Sequence, residues 1–224
     1  MTRFPIGLLL ISLTIPAWSQ SVRELVKPAH DVAVPSTIRA RLSQAADVEA
    51  FTRLSGQDIL IVYDTVRSTP GTTDFMDNRP HIAILCNGNV KLDLDVLSLA
   101  PGGPAIFKGM AILQGWERNA VAVFAFSLAV DGSGTFFVFV GRGPSDYRVT
   151  AALHGLQAQL RFGPKDELEL WSAKGQDPCV WCLKPYSVTK LEWSDAKLHD
   201  VAPATDAGEY HPENLADEPF VVRK

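Results

Sequence analysis

Residues 120–140 read AVAVFAFSLAVDGSGTFFVFV, and the rest of the chain is best approached from this stretch. Two runs rich in Val and Phe flank Asp131-Gly132-Ser133-Gly134, a turn composition between strand compositions. The pattern predicts a hairpin in which Ala120–Val130 turns back into Thr135–Val140. So short a connection forces antiparallel neighbours, because a parallel crossover needs about a dozen residues or more. Phe124, Phe126, Phe136, Phe137 and Phe139 fall in this hairpin and are expected to supply much of the core. Each such side chain contributes roughly 1.5–3 kcal/mol when buried.

Working outward, the same grammar recurs. Downstream, Tyr147–Leu153 leads through a turn at His154-Gly155 into Leu156–Phe162, and Gly163-Pro164-Lys165 turns that run into Glu167–Trp171. Tyr186–Trp193 alternates, and Ser194–Lys197 closes another tight turn. Upstream, Ile59–Val66 has the β-branched and aromatic content of a buried strand, and residues 67–80 read as a loop. His81–Cys86, Asn87-Gly88 and Val90–Val96 form the clearest hairpin, since Asn-Gly accepts the positive φ values of a type I′ turn. Residues 98–109, with Pro101-Gly102-Gly103-Pro104, read as a second loop, and residues 20–35 as a leader into the fold. From Ser36 the apolar steps become three and four residues, at Ile38, Leu42, Ala45 or Ala46, Val48 or Phe51, and Leu54. That spacing predicts a helical element over about 36–54, opened by Ser36 and closed at Gly56. Residues 202–219 are polar and proline-containing, an expected surface tail, after which Phe220-Val221-Val222 adds an edge strand. No βαβ alternation occurs. The predicted fold is mainly β, an antiparallel β-sandwich or partly closed barrel of eight to ten strands built from consecutive hairpins.

The N-terminus specifies a destination. Arg3 precedes an uncharged run of thirteen residues, FPIGLLLISLTIP, followed by Ala17-Trp18-Ser19 with small residues at the positions a signal peptidase reads. Thirteen residues are too few to cross a hydrocarbon core of about 30 Å as a helix. Residues 1–19 are therefore expected to be a signal peptide, cleaved near Ser19-Gln20, and the mature chain to be secreted or periplasmic without a transmembrane segment. The remaining organisation is expected to be a single mainly-β domain over 20–201 and a polar tail over 202–224. A chain of 224 residues with a formal charge of −4 and pI ≈ 5.7 offers no electrostatic reason for a nucleic-acid partner.

Export sets the meaning of the three cysteines. Cys179 and Cys182 form a C-x-x-C, expected to be a small disulfide stapling a loop, while the pairing of Cys86 is left open by sequence. Zinc would need two further ligands converging on that loop, and a redox pair would need a helix N-terminus that the flanking Pro178 and Pro185 do not suggest. Gly132-Ser133-Gly134 lacks nucleophile-elbow spacing, and His30, His81, His154, His199 and His211 are scattered. Asp93 and Asp95 share one strand face, which is the pattern of a solvated face. No catalytic residue, metal site or cofactor is thus assigned. The remaining lead is aromatic: Trp171, Trp181, Tyr186 and Trp193 cluster in the C-terminal third, near strand ends and the cysteine loop. Tyr and Trp combine apolar area with a polar edge and are favoured in binding surfaces. The expected function is a non-catalytic binding or envelope-associated module for an extracytoplasmic carbohydrate, protein or small molecule. The alternatives are a secreted glycan or ester hydrolase whose site assembles only on folding, and a barrel holding a small apolar ligand.

Overall fold

The computed structural model describes residues 21–42, 45, 47–65, 79–100, 104–116, 119–128, 134–143, 146–164, 167–175, 182–195, 197–211 and 218–223. The segment expected to be a signal peptide, residues 67–78 of the expected 67–80 loop, the expected turn residues Asp131, Gly132 and Ser133, and Cys179 and Trp181 lie outside them. Among the described residues, strands dominate and form three sheets. The first holds β2 (Asp47–Ser55), β3 (Asp58–Asp64), β4 (Pro80–Cys86) and β5 (Asn89–Asp95), in that order. The second runs β1 (Ser21–Val26), β6 (Ala105–Gln114), β7 (Ala122–Leu128), β8 (Gly134–Arg142) and β9 (Tyr147–Leu156). In the third, β13 (Lys197–Asp200), β12 (Lys184–Ser194), β11 (Leu168–Ala173), β10 (Gln159–Phe162) and β15 (Phe220–Val222) follow one another. There β14 (Thr205–Tyr210) also pairs with β12.

The quoted hairpin lies at the heart of the second sheet. β7 and β8 pair antiparallel from Ala122↔Val140 to Leu128↔Gly134. Side chains alternate across a strand, so Phe124, Phe126, Phe136 and Val138 face one core while Val123, Ala125, Phe137 and Phe139 face another. The first core is closed by Leu60, Val62, Ile82 and Ile84 of the first sheet. The second is closed by Leu160, Phe162, Leu168, Leu191 and Phe220 of the third. The central strands β7 and β8 are therefore covered on both faces. This explains the unbroken apolar runs, which are the signature of strands without a solvent face. Among the described residues each sheet ends in two edge strands, the arrangement of a β-sandwich.

Several expected boundaries move. The helix is confined to one turn, α1 (Ser36–Arg39), with Pro35 rather than Ser36 at its N-cap position. Residues 47–55 are strand β2 instead. Bulges between Val48 and Ala50 and between Arg53 and Ser55 place Val48 and Phe51 on one face and Ala50 and Leu54 on the other. A bulged strand buried on two faces thus imitates helical spacing. Gly56, at φ +55°, turns β2 into β3 rather than ending a helix. The expected loop at 98–109 ends earlier, because β6 begins at Ala105. Its bulge between Phe107 and Gly109 switches the first-core residues from Ala105 and Phe107 to Met110 and Ile112, which breaks the alternation. Residues 21–26, read as leader, form β1 beside β6.

The Asn87-Gly88 hairpin forms as expected, with φ of +51° and +73° at its two turn residues. The turn expected at His154-Gly155 lies instead at Gln157, whose φ is +43°, and β9 runs through Gly155. Gly155 is required for close approach: a Cβ there would come within 2.7 Å of the Ala158 Cβ. The polar C-terminal stretch is not only a tail, since residues 205–210 form β14 and pair with β12. The last strand does join an edge, but it lies parallel to β10, the long connection before it having removed the constraint toward antiparallel pairing.

Candidate functional site

The outer face of the third sheet is built from the polar-looking half of two adjacent strands. In β10 and β11, Leu160, Phe162, Leu168 and Leu170 point into the second core, so Gln159, Arg161, Glu169 and Trp171 point outward. The register sets Gln159 opposite Trp171 and Arg161 opposite Glu169. Arg161 reaches diagonally across the pair, and its guanidinium carbon lies 3.4 Å from the centroid of the Trp171 ring. Its Nε donates to Gln159 Oε1 at 2.8 Å. Trp171 Nε1 donates to Glu169 Oε2 at 2.9 Å. Arg223 follows β15, anchored by donation from its backbone N–H to the Phe162 carbonyl. Its guanidinium lies 5.8 Å from the same ring and 3.3 Å from Glu169 Oε2. Burial, reinforced by the neighbouring Arg223, holds the Arg161 guanidinium below the usual arginine range.

Tyr210 closes the cluster from β14, edge-on to Trp171 at 5.5 Å and to Tyr186 at 6.0 Å. Tyr186 is fully buried and donates its hydroxyl to the Gln157 carbonyl, and burial pushes that phenol up to about 12. Beside this cluster, an open groove of about 360 Å³ runs past Glu167, Glu169, Lys190, Glu192 and Val201.

Of the four aromatic residues singled out by sequence, the fold brings Trp171 and Tyr186 together. Trp193 points the other way, into the second core, edge-on to Phe139 at 5.9 Å. Trp181 lies outside the described residues. Sequence reasoning missed Arg161, Arg223, Glu169 and Tyr210. Parity with Trp171 across the turn at Gly163 was the available signal, but it becomes readable only once the hairpin register is known.

Two further clusters bear on catalysis. On the outer face of the first sheet, Asp93 Oδ1 accepts from the Tyr63 hydroxyl at 2.7 Å and lies 3.1 Å from His81 Nδ1. Asp93 is thus bonded rather than idle on a solvated face, whereas Asp95 caps the following turn through the Leu97 N–H. A carboxylate-oriented histidine is the base half of a hydrolytic triad, yet the third group in contact here is a phenol. The other cluster joins the first and central sheets. Asp58 Oδ2 accepts from the Tyr147 hydroxyl at 2.7 Å, with Arg142 3.9 Å away. Cys86 is a free thiol, and burial together with its hydrogen bond to Asp58 pushes it up to about 11. A thiol held protonated is the reverse of a nucleophile.

Among the described residues, no three His, Cys, Asp or Glu side chains gather as metal ligands, and no helix is long and apolar enough to cross a membrane. No family model matches the chain, and no curated protein or solved structure is significantly similar to it.

Proposed function

We propose that the protein is an exported, non-catalytic binding module of the cell envelope, and that it meets its ligand with the outer face of the third sheet around Trp171. The observation that carries this reading is the Arg161 guanidinium stacked on Trp171 at 3.4 Å, with its Nε alone engaged by an acceptor among the described residues. Such a stack fixes a planar set of N–H donors at the surface at little further entropic cost. Export rests on Arg3, the apolar run to Pro16 and the small residues around Ser19. The Cys179–Cys182 staple belongs to the same reading. Non-reducing peptide mass spectrometry that finds Cys179 and Cys182 unbridged would remove it.

The test of the binding face is cosedimentation with isolated, insoluble cell-wall polysaccharide. The wild type is expected in the pellet, and Trp171→Ala, matched for melting temperature, in the supernatant. Equal pelleting of both proteins, or no pelleting of either, rejects the site. A hydrolase is the second reading, favoured by the His81–Asp93 contact alone. Turnover of a chromogenic ester or glycoside by the wild type, abolished in His81→Ala, would establish it in place of the binding module.

A further inference from the structure

The cluster on the third sheet has an uneven charge balance. Two guanidiniums, Arg161 and Arg223, lie 3.4 and 5.8 Å from the centroid of one indole, and one carboxylate, Glu169, lies beside them. Glu169 is already engaged twice, by Trp171 Nε1 and by Arg223. Arg161 makes no ion pair with any described residue, and its terminal N–H groups have no acceptor there. We infer that this face binds the acid group of an anionic glycan, with Arg161 and Arg223 gripping a carboxylate or phosphate and Tyr210 flanking the sugar ring. This rests on the binding-face reading above and names its ligand class.

The chemistry follows from the geometry. A guanidinium presents parallel donors that match two oxygens of one oxyanion. Stacking on Trp171 and the Nε bond to Gln159 hold Arg161 in place before any ligand arrives, so little side-chain freedom is lost on binding. An oxyanion between the two arginines would also relieve their mutual repulsion, which burial of Arg161 enhances. The chain as a whole carries −4, so attraction of an anion has to be local to this cluster.

Three sugars with one ring and different charge provide the test: glucose, glucuronate and glucose 6-phosphate, titrated by ligand-observed saturation-transfer NMR at low ionic strength. The expected result is that one or both acids bind and glucose does not. The stronger acid identifies a carboxylate or a phosphate as the natural group. Arg161→Gln is expected to weaken acid binding about tenfold, the worth of a charge-assisted contact, and Arg161→Lys to restore part of it. Arg223→Gln repeats the test at a more exposed position if Arg161→Gln does not fold. Acid binding unchanged in both arginine variants overturns the inference. Glucose binding as well as the acids, and lost in Trp171→Ala, also overturns it while keeping the face as a binding site. If none of the three sugars binds, the inference and the glycan-binding face fall together.

Discussion

Glu49 sits in the β2 bulge, close to Asp47 and Asp64, which are paired across strands β2 and β3. Its two neighbours are served: Asp47 accepts from the Asp31 N–H and lies 3.6 Å from His30 Nδ1, and Asp64 accepts from the Arg79 N–H. Glu49 Oε2 is buried without a hydrogen-bond partner. Burial, then the charges of Asp64 and Asp47, push its carboxyl up to about 8. Glu49 therefore keeps its proton at neutral pH. Because the folded state holds that proton more tightly than the unfolded chain, its contribution is complete in acid and is lost as pH rises toward 8. The wild type should lose on the order of 2 kcal/mol from this group between about pH 5 and pH 8.5, allowing for local relaxation. Glu49→Gln, neutral throughout, should remove that slope and unfold later than the wild type above about pH 8. Urea denaturation at the two pH values checks it, and parallel pH slopes for the two proteins would refute the assignment.

At the scale of single elements, Gly155 separates two readings of the same dipeptide. A glycine in an ordinary exposed turn accepts alanine at small cost. Gly155 lies inside β9, where an added Cβ meets the Ala158 Cβ at 2.7 Å and the Ser172 Oγ at 2.9 Å. Gly155→Ala should therefore destabilise the protein by roughly 1–3 kcal/mol, and an unchanged melting temperature would return the turn to residues 154–155. The last strand makes a comparable case. Phe220 is buried against Phe137 at 6.0 Å and Phe162 at 6.2 Å. Upstream of it, the Pro219 carbonyl accepts from the Leu160 N–H. Deleting residues 218–224 should cost at least about 3 kcal/mol, the scale of losing one buried phenylalanine. A surface tail would leave the denaturation midpoint where it was.

These elements also show what sequence can convey. The Asn87-Gly88 and Ser194–Lys197 hairpins were readable because turn chemistry is local, with Asn87 and Asp195 both at φ +51°. β2 and β6 were not, because in each a bulge moves the apolar residues onto the opposite parity. The Arg161–Trp171 stack was hidden for another reason. It depends on the cross-strand register Gln159↔Trp171, and in the sequence Arg161, half-buried in the fold, resembles any surface arginine.

For the whole molecule, the question is whether the central sheet truly has no solvent side. In a two-layer sandwich, consecutive residues of one strand differ sharply, one in the core and the next in water. Phe136 and Phe137 are consecutive in β8 and face opposite ways, Phe136 toward the first sheet and Phe137 toward the third. Both are buried, at 3% and 0% exposure. Replacing either by alanine should thus cost a similar amount, about 3–5 kcal/mol each. Because the two side chains lie in separate cores, the two losses should combine with little coupling energy. The amides of β7 and β8, shielded by a layer on each side, should also be the slowest in the molecule to exchange with deuterated solvent. Chemical denaturation of Phe136→Ala, Phe137→Ala and the double variant decides between the arrangements. A near-neutral effect at either position would mean that one outer sheet does not cover the central one, and the three-layer description would fail.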